Sequence, residues 1–280
     1  MNKGIIIIAT AHSLYGKLAY NLALTIKATG TSIPVCLIHD QAAIGKLDDE
    51  KLSIFDNLVQ TAWNWNKVRF NVDKLSPYDH NLQLDADMLW LWKDPAELFE
   101  QHKDEELLFT NEGFHDIETG KSQLTGGYEW LADLQKTIEL YQLTGKLYQL
   151  RWEAVLFKKT EKVRKFLAKA EAIRKKPKLK TWLFEGQPVD EFAFYVAANL
   201  LGFEQAVSPF LPAFWCKPLN NPTVKELSQK YFAIGFGGTR AGDEYKKMYD
   251  LIMTHASNKL GLPYTFRLQS KIHYIQSRTK

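Results

Sequence analysis

Two aspartates separated by one residue are the feature of the sequence best suited to chemistry. Asp85 and Asp87 follow the alternating apolar stretch Asn81–Leu84, a pattern typical of a strand. Residues i and i+2 of an extended segment point to the same side, so both carboxylates can face one point at the strand's carboxyl end. Two anions held this close repel each other unless a divalent cation lies beside them. The pattern therefore predicts a metal site, and the alternative is a turn with two solvated aspartates.

The composition indicates an ordered globular protein. The chain has 280 residues, of which 45% are hydrophobic and eight are tryptophan, enough for one large domain with a full core. No apolar run approaches the ~20 residues needed to cross a bilayer, and Gly4–Ala9 is too short for the core of a signal peptide. The two cysteines, Cys36 and Cys216, support neither a disulfide framework nor a cysteine zinc site. We therefore expect a soluble, cytoplasmic protein.

Strands and helices alternate along the first part of the chain, which predicts an α/β fold without internal repeats. Hydrophobic runs and period-2 patterns predict strands at Ile5–Ala9, Ile33–Ile38, Asn81–Leu84, Glu106–Thr110, Tyr148–Phe157 and Tyr231–Phe236. Helical spacing predicts helices at Gly16–Thr29, Asn66–Leu75, Pro95–His102, Trp130–Tyr141, Glu161–Lys175, Val189–Leu201 and Asp243–Lys259. One domain with a C-terminal elaboration is the simplest architecture.

With these elements in place, the chain resembles the GT-A class of nucleotide-sugar glycosyltransferases, and within it the glycogenin-like retaining enzymes. The resemblance covers roughly residues 4 to 240. The stretch Ala9–Gly16, which contains Thr10, His12 and Tyr15, is similar to the family's first loop, where a threonine and a tyrosine hold the nucleotide. Leu84–Asp87 matches the family's metal motif. Two further matches are less close: Lys67 resembles a lysine that precedes the motif, and Leu150–Lys159 resembles the strand after the donor site. Glu153, within that strand, departs from the family pattern, in which a small polar residue is usual.

The resemblance implies a single GT-A (Rossmann-like) domain with a mixed central sheet. Its first half, about residues 1–125, would bind the donor, which we expect to be a UDP-sugar, and residues 126–280 would bind the acceptor. Oxygen ligands suit Mn²⁺ or Mg²⁺, with Asp87 as a direct ligand and Asp85 on the metal or the ribose. In the family a C-terminal histidine completes the site; none stands at that position here, and His255 is the nearest downstream candidate. Arg240, in Phe236–Arg240, replaces a lysine that contacts the diphosphate.

Two acidic residues at the predicted start of a helix are candidates for the acceptor side. In GT-A enzymes an acidic residue at the place of Asp190 and Glu191 contacts a sugar, and in inverting members it acts as general base. Helix capping is the alternative, because carboxylates in a first turn face the positive end of the helix. The resemblance favours retention of the anomeric configuration, while either residue could supply the base that inversion needs.

The acceptor is the least constrained part of the function. Lysine and arginine are dense between Lys158 and Lys180, although the net charge of the whole chain is only +4. This segment is either a solvated helix face or a contact surface for nucleic-acid phosphates. The second interpretation makes the acceptor a modified DNA base, such as a hydroxymethylated one, as in bacteriophage DNA glucosyltransferases. One alternative is a glycosyltransferase that acts on a glycan, protein or small molecule. A second is a sugar nucleotidyltransferase, although its glycine-rich basic signature is absent from Ala9–Lys17. A third is a non-catalytic nucleic-acid-binding or structural protein.

Overall fold

The computed structural model describes residues 1–124, 132–180, 190–204, 223–236 and 243–265. Within these ranges the strands are β1 (Lys3–Ala9), β2 (Val35–His39), β3 (Asn57–Gln60), β4 (His80–Asp85), β5 (Met88–Trp90), β6 (Leu107–Asp116), β7 (Lys121–Leu124), β8 (Lys146–Lys158) and β9 (Ala233–Gly235). The helices are α1 (Ser13–Lys27), α2 (Gln41–Ile44), α3 (Asp49–Leu52), α4 (Trp65–Phe70), α5 (Val72–Leu75), α6 (Pro95–Gln101), α7 (Leu134–Tyr141), α8 (Glu161–Lys175), α9 (Asp190–Leu200), α10 (Val224–Lys230) and α11 (Asp243–Leu260). In this part of the chain every helix is too short or too polar to cross a membrane.

Seven strands form one mixed sheet in the order β3-β2-β1-β4-β8-β6-β7. β1 is parallel to both β2 and β4, and β2 is parallel to β3. β8 is antiparallel to β4 and β6, and β7 is antiparallel to β6. The small strands β5 and β9 pair separately. The predicted mixed α/β sheet is confirmed, and β1 lies where the strand order reverses, the place at which α/β sheets bind ligands.

Alternate residues of β1 belong to two hydrophobic cores, one on each face of the sheet. Ile5 and Ile7 pack in a core that includes the apolar sides of α1 and α11. Ile6 and Ile8 pack in a second core with residues of α4, α8 and α9. A strand covered on both faces needs apolar residues at every position, which is why β1 reads as a continuous isoleucine run.

Most predicted elements lie within a few residues of their predicted positions, and α8 spans its predicted range, Glu161–Lys175. The predicted helix Asn66–Leu75 is instead two short helices, α4 and α5. The break falls at Asn71, whose backbone leaves the helical region and whose side-chain amide donates to the carbonyl of Lys67 at 3.0 Å. The short strands β3, β5 and β7 were not predicted.

Candidate functional site

The carboxyl ends of β1 and β4 lie side by side and deliver the predicted site residues to one edge of the sheet. Ile8 is in register with Asp85, so the loop after β1 lies beside the turn that carries Asp87. Ala9 is fully buried at the end of β1, so it can offer a ligand little more than its backbone. The next residue, Thr10, is also buried, and its hydroxyl has no hydrogen-bond partner within the described structure. A buried hydroxyl of this kind is suited to a ligand.

The loop after β1 is held in a strained conformation by its neighbours. Ala11 has φ of 73°, in the left-handed region that costs a side-chain-bearing residue roughly 1–2 kcal/mol. Its N–H donates to Asp40 Oδ2 at 2.6 Å, and the other oxygen of Asp40 caps α2 by accepting from Ala43 N at 2.8 Å. His12 caps α1, because its Nδ1 accepts from Leu14 N at 3.0 Å. The predicted nucleotide loop is therefore preorganised, with the His12 ring used at least partly for capping.

Tyr15, in the first turn of α1, faces the two aspartates. Burial raises the pKa of its hydroxyl, and the negative charges of Asp87 and Asp85 raise it further. The phenol therefore stays neutral and can donate a hydrogen bond to a ligand beside the carboxylates. The structure thus brings Tyr15 near Asp85 and Asp87, which lie far from it in the sequence.

Asp85 is paired with an arginine that the sequence pattern did not single out. Arg69, in α4, donates from Nη2 to both oxygens of Asp85 at 2.7 Å, and its side chain is only 2% exposed. Burial alone would lower the pKa of Arg69, but Asp85, Asp190 and Glu191 outweigh this effect and raise it. The guanidinium therefore stays charged and neutralises Asp85.

Asp87 forms no salt bridge within the described part of the chain. Burial raises the pKa of its carboxyl to about 7, with a further contribution from the charge of Asp85. Its backbone carbonyl accepts from the N–H of Phe236, the residue after β9, at 2.9 Å. The predicted diphosphate contact Arg240 lies outside the described residues, four positions after Phe236 in the sequence.

Asp190, at the first position of α9, reaches the same cluster from the other side. Its Oδ1 accepts from Arg174 Nε at 2.8 Å, and its Oδ2 lies 3.7 Å from Arg69 Nη1. Burial raises the pKa of Asp190 to about 6; Arg69 and Arg174 act against this effect, and Glu191 adds to it. Glu191 is partly exposed, whereas Asp190 is 4% exposed. Of the two predicted acceptor-side carboxylates, Glu191 is thus the more accessible.

Two predicted residues are placed away from the aspartate pair. Lys67 is exposed, and its ammonium lies 4.7 Å from the ring centroid of Trp63; the cation beside Asp85 is Arg69, two positions later. His255 is exposed on α11, with its ring 5.0 Å from that of Trp92. Among the described residues no three histidine, cysteine, aspartate or glutamate side chains form a group that could hold a metal. The structure therefore does not gather Asp85, Asp87 and His255 into one ligand set.

β8 carries an irregularity next to Asp85. Its ladder with β6 shifts register between Phe109 and Thr110, so that residues 152–154 are left without partners on β6. Ala154 pairs instead with Leu84 of β4, which puts Glu153 beside the end of that strand. Glu153 is partly exposed there, at the position where the family resemblance leads one to expect a small polar residue.

The basic segment 158–180 includes α8 and uses many of its cations internally. Lys165 and Lys175 pair with glutamates one turn away on the same helix. Arg174 binds Asp190, and the Lys178 ammonium donates to the carbonyl of Leu140. No ion pair or hydrogen bond within the described structure engages the side chains of three exposed lysines, Lys169, Lys176 and Lys180. The segment is thus only partly available to a partner.

No family model matches the sequence, and no curated protein matches it. Solved glycosyltransferase structures are nevertheless similar. Galactosyltransferase LgtC in complex with donor and acceptor sugar analogues gives a TM-score of 0.52 at 12% identity, over 91% of this chain and 95% of LgtC. The bifunctional glycosyltransferase WbbM gives 0.53 at 13% identity, over 92% of this chain and 50% of WbbM. An active-site mutant of LgtC gives 0.51 at 11% identity. The chain therefore has the GT-A fold of these enzymes.

Proposed function

We propose that the protein is a metal-dependent glycosyltransferase that moves a sugar from a nucleotide-sugar donor, most simply a UDP-sugar, to a hydroxyl acceptor. The observation that carries this proposal is the carboxylate of Asp87, at the β1/β4 switch point of a GT-A fold. Its pKa is raised to about 7 by burial and by Asp85, and no side-chain cation pairs with it in the described structure. A divalent cation is the partner that such a group lacks.

The chemistry of the two aspartates fits a cation. Asp87 would be a direct ligand, and Asp85 could ligate as well through Oδ2, which keeps a lone pair beyond its bond to Arg69. Its Oδ1 already accepts from both Arg69 and Gln83. Mn²⁺ or Mg²⁺ would neutralise the charge that develops on the diphosphate leaving group. Any further protein ligand would come from residues outside the described ranges, since the described ones form no group of three.

The donor nucleotide would occupy the groove between the loop after β1 and the turn at Asp87. The unpartnered hydroxyl of Thr10 and the neutral phenol of Tyr15 would bind it. Arg240 follows Phe236 by four positions in the sequence, and the N–H of Phe236 donates to the backbone carbonyl of Asp87. This proximity along the chain supports Arg240 as the proposed bidentate contact to the diphosphate.

On the acceptor side, we assign the role of the accessible carboxylate to Glu191. Asp190 is buried and both of its oxygens lie near arginines, which suits a structural part in the site better than a base. Retention of the anomeric configuration, as in glycogenin-like enzymes, is the proposed stereochemical outcome. Two classes of acceptor are candidates: a glycan, protein or small molecule on the one hand, and a modified DNA base on the other. The exposed lysines of segment 158–180 are the observation that favours the DNA base.

The proposal is tested by donor binding. Thermal shifts with a panel of nucleotide sugars, each with and without Mn²⁺, should single out one donor through metal-dependent stabilisation. Calorimetry should then show that Asp87→Asn weakens Mn²⁺-dependent UDP binding by about tenfold or more, because it removes an anionic ligand. The control is Asp104→Asn, the same change on an exposed loop, which should bind like the wild type. Equal affinity of Asp87→Asn and Asp104→Asn would remove the metal assignment.

A further inference from the structure

Four charged side chains of alternating sign form a continuous chain from the surface of α8 to the end of β4. Arg174 Nε lies 2.8 Å from Asp190 Oδ1, Arg69 Nη1 lies 3.7 Å from Asp190 Oδ2, and Arg69 Nη2 contacts both oxygens of Asp85 at 2.7 Å. The side chains of Asp190 and Arg69 are 4% and 2% exposed, while that of Arg174 is 28% exposed. The outermost member is thus the only one of these three with appreciable access to solvent.

The first ion pair of this chain joins two helices. Arg174 lies in the last turn of α8, and Asp190 is the first residue of α9. A cation at a helix C-terminus and an anion at a helix N-terminus are each favoured by the helix dipoles, so the pair is stabilised from both sides. The Arg174 guanidinium also lies 5.9 Å from the ring centroid of Phe70, the neighbour of Arg69. Arg174 therefore contacts the acceptor-side helix and the helix that carries Arg69.

We propose that Arg174 is a positioning residue for the sugar-transfer site: it holds the Asp190 carboxylate, which holds Arg69, which in turn holds Asp85. The four charges sum to zero, so none is left uncompensated in the interior. Without Arg174 the remaining three carry a net negative charge, which a buried site relieves by taking up a proton. Asp190 would take up that proton, and a neutral carboxyl holds Arg69 less firmly. This inference rests on the proposed function for its catalytic consequence.

Arg174→Gln tests the proposal, with Lys27→Gln as a matched control. Lys27 is likewise the last residue of a 15-residue helix, α1, and its side chain, which is 22% exposed, pairs with Asp56 at 2.6 Å. It lies at the end of α1 that is remote from the site. Among the described residues, the charged groups that shift the pKa of Asp190 are Arg69 from α4, Arg174 from α8 and Glu191 from α9. Carboxyl NMR of the ligand-free protein should show that Arg174→Gln raises the pKa of Asp190 by about one unit. Lys27→Gln should leave that pKa unchanged.

The catalytic readout is hydrolysis of the UDP-sugar donor with Mn²⁺. At pH 6, Arg174→Gln should lower turnover about fivefold, because a pKa near 7 leaves only about a tenth of Asp190 ionised there, against about half in the wild type. Mn²⁺–UDP affinity should change less than about threefold, because Asp87 and the nucleotide loop are untouched. Arg174→Lys keeps the cation and should restore turnover at pH 6 to within about twofold of the wild type. If Arg174→Gln loses thermal stability while the titration of Asp190 and the turnover match those of Lys27→Gln, the proposal is overturned.

Two further outcomes separate this proposal from its premise. If Arg174→Gln does not fold, the double variant Arg174→Gln/Asp190→Asn removes both charges of the pair and should turn over like Asp190→Asn alone. A double variant markedly slower than Asp190→Asn would contradict the inference. If the wild type binds no UDP in the presence of Mn²⁺, the proposed function fails. The positioning role is then tested separately by NMR, and an equal pKa of Asp190 in the wild type and in Arg174→Gln would overturn it.

Discussion

Two aspartates that stand two positions apart in the sequence have different partners in the folded protein. Asp85 ends β4 and is neutralised by Arg69, whereas Asp87 lies in the following turn and has no salt bridge among the described side chains. The rule that residues i and i+2 share one side holds only inside a strand, and this strand ends between them. The pKa of the Asp87 carboxyl is therefore the property of the site that an experiment can test most directly.

The free energy of unfolding should report the raised pKa of Asp87. Its folded-state pKa is about 7, against an ordinary value of 3.8, so between these values the folded protein holds a proton that the unfolded chain has released. Stability from this group therefore falls as pH rises from 4 to 7. Asp87→Asn removes this pH dependence. In urea unfolding with a chelator present, the free energy of unfolding of the variant relative to the wild type should therefore rise by about 2 kcal/mol between pH 4 and pH 7. This figure is reduced from the full pKa difference because Asp87 is partly exposed. A constant difference between the two proteins would contradict the assigned pKa.

Thr10→Val should have opposite effects on stability and on donor binding. The buried hydroxyl of Thr10 has no partner in the described structure, so its removal should stabilise the ligand-free protein by about 1 kcal/mol. The same change should weaken Mn²⁺-dependent UDP binding about fivefold, if the hydroxyl binds the nucleotide. Thr25→Val is the control, because the Thr25 hydroxyl accepts from Trp90 N and donates to Leu22 O. It should destabilise the protein and leave UDP affinity unchanged. Loss of stability in Thr10→Val would argue for a structural hydroxyl.

At the residue level the family resemblance implied that the loop after β1 and the aspartate pair would serve one site, but it did not show which cation would face Asp85. Lys67 and Arg69 lie two positions apart in a six-residue helix, and sequence alone did not show which of them turns inward. The signal that could have found Arg69 is its position between Val68 and Phe70, both buried; a charge within an apolar stretch needs a buried partner. Glu191 and Asp190 were selected together, and the structure distinguishes them by burial and by the ion pairs of Asp190 with Arg174 and Arg69.

Among the elements, long segments with a clear period were predicted well and short ones were not. The amphipathic pattern of α8 and the isoleucine run of β1 each extend over an element of at least seven residues, long enough to show a period. β3 and β5 have four and three residues, too few for a period, and their pairing depends on the neighbouring strands β2 and β9. β7 is largely exposed and polar, so its strand conformation comes from the hairpin with β6 rather than from burial.

The packing of α1 on α2 makes Gly16 a sharp test of how elements position the site. A Cβ added at Gly16 would lie 2.0 Å from the carbonyl oxygen of Ala43, which is backbone and cannot rotate away. Gly16→Ala should therefore destabilise the protein by about 1–3 kcal/mol in urea unfolding, despite the better helix propensity of alanine. It should also weaken UDP binding, because α2 and the loop after β1 share Asp40.

Gly45→Ala is the matched control for this change. Gly45 ends α2 with φ of −60°, and an added Cβ would lie 3.4 Å from its nearest neighbour, Gln41 O. We expect its stability to stay within about 0.5 kcal/mol of the wild type. If Gly16→Ala behaved like Gly45→Ala, the close approach of α1 to α2 would not be what positions the nucleotide loop.

For the whole molecule, the strand order explains why residues from distant parts of the chain share one site. β1 and β4 end at the same edge because they are parallel neighbours, and β9 reaches that edge through Phe236. α9 and α4 face each other across the second core, which brings Asp190 to Arg69. Sequence patterns predict the elements and their class, but these meetings depend on topology and on long-range pairs, which a single sequence does not contain.

The positive charge of segment 158–180 allows an experiment that distinguishes a DNA acceptor from a glycan, protein or small-molecule acceptor. If segment 158–180 tracks a DNA backbone, affinity for duplex must fall steeply as salt rises, because each neutralised phosphate releases condensed counterion. The lysines that the structure leaves available are Lys169, Lys176 and Lys180. Replacing all three with glutamine should flatten the salt dependence by roughly one unit of slope for each phosphate that is no longer neutralised, measured by fluorescence anisotropy with labelled duplex.

The matched control for this triple variant changes three exposed lysines elsewhere, Lys46, Lys121 and Lys225, to glutamine and so has the same net charge. It should keep the wild-type slope, since general charge alone would affect both variants equally. Identical slopes for the two triple variants, or no salt-dependent duplex binding by the wild type, would exclude this segment as a DNA contact and favour a glycan, protein or small-molecule acceptor. UDP binding should be unchanged in both variants, because Thr10, Tyr15 and Asp87 lie at the carboxyl ends of β1 and β4 and none of the six lysines contacts them.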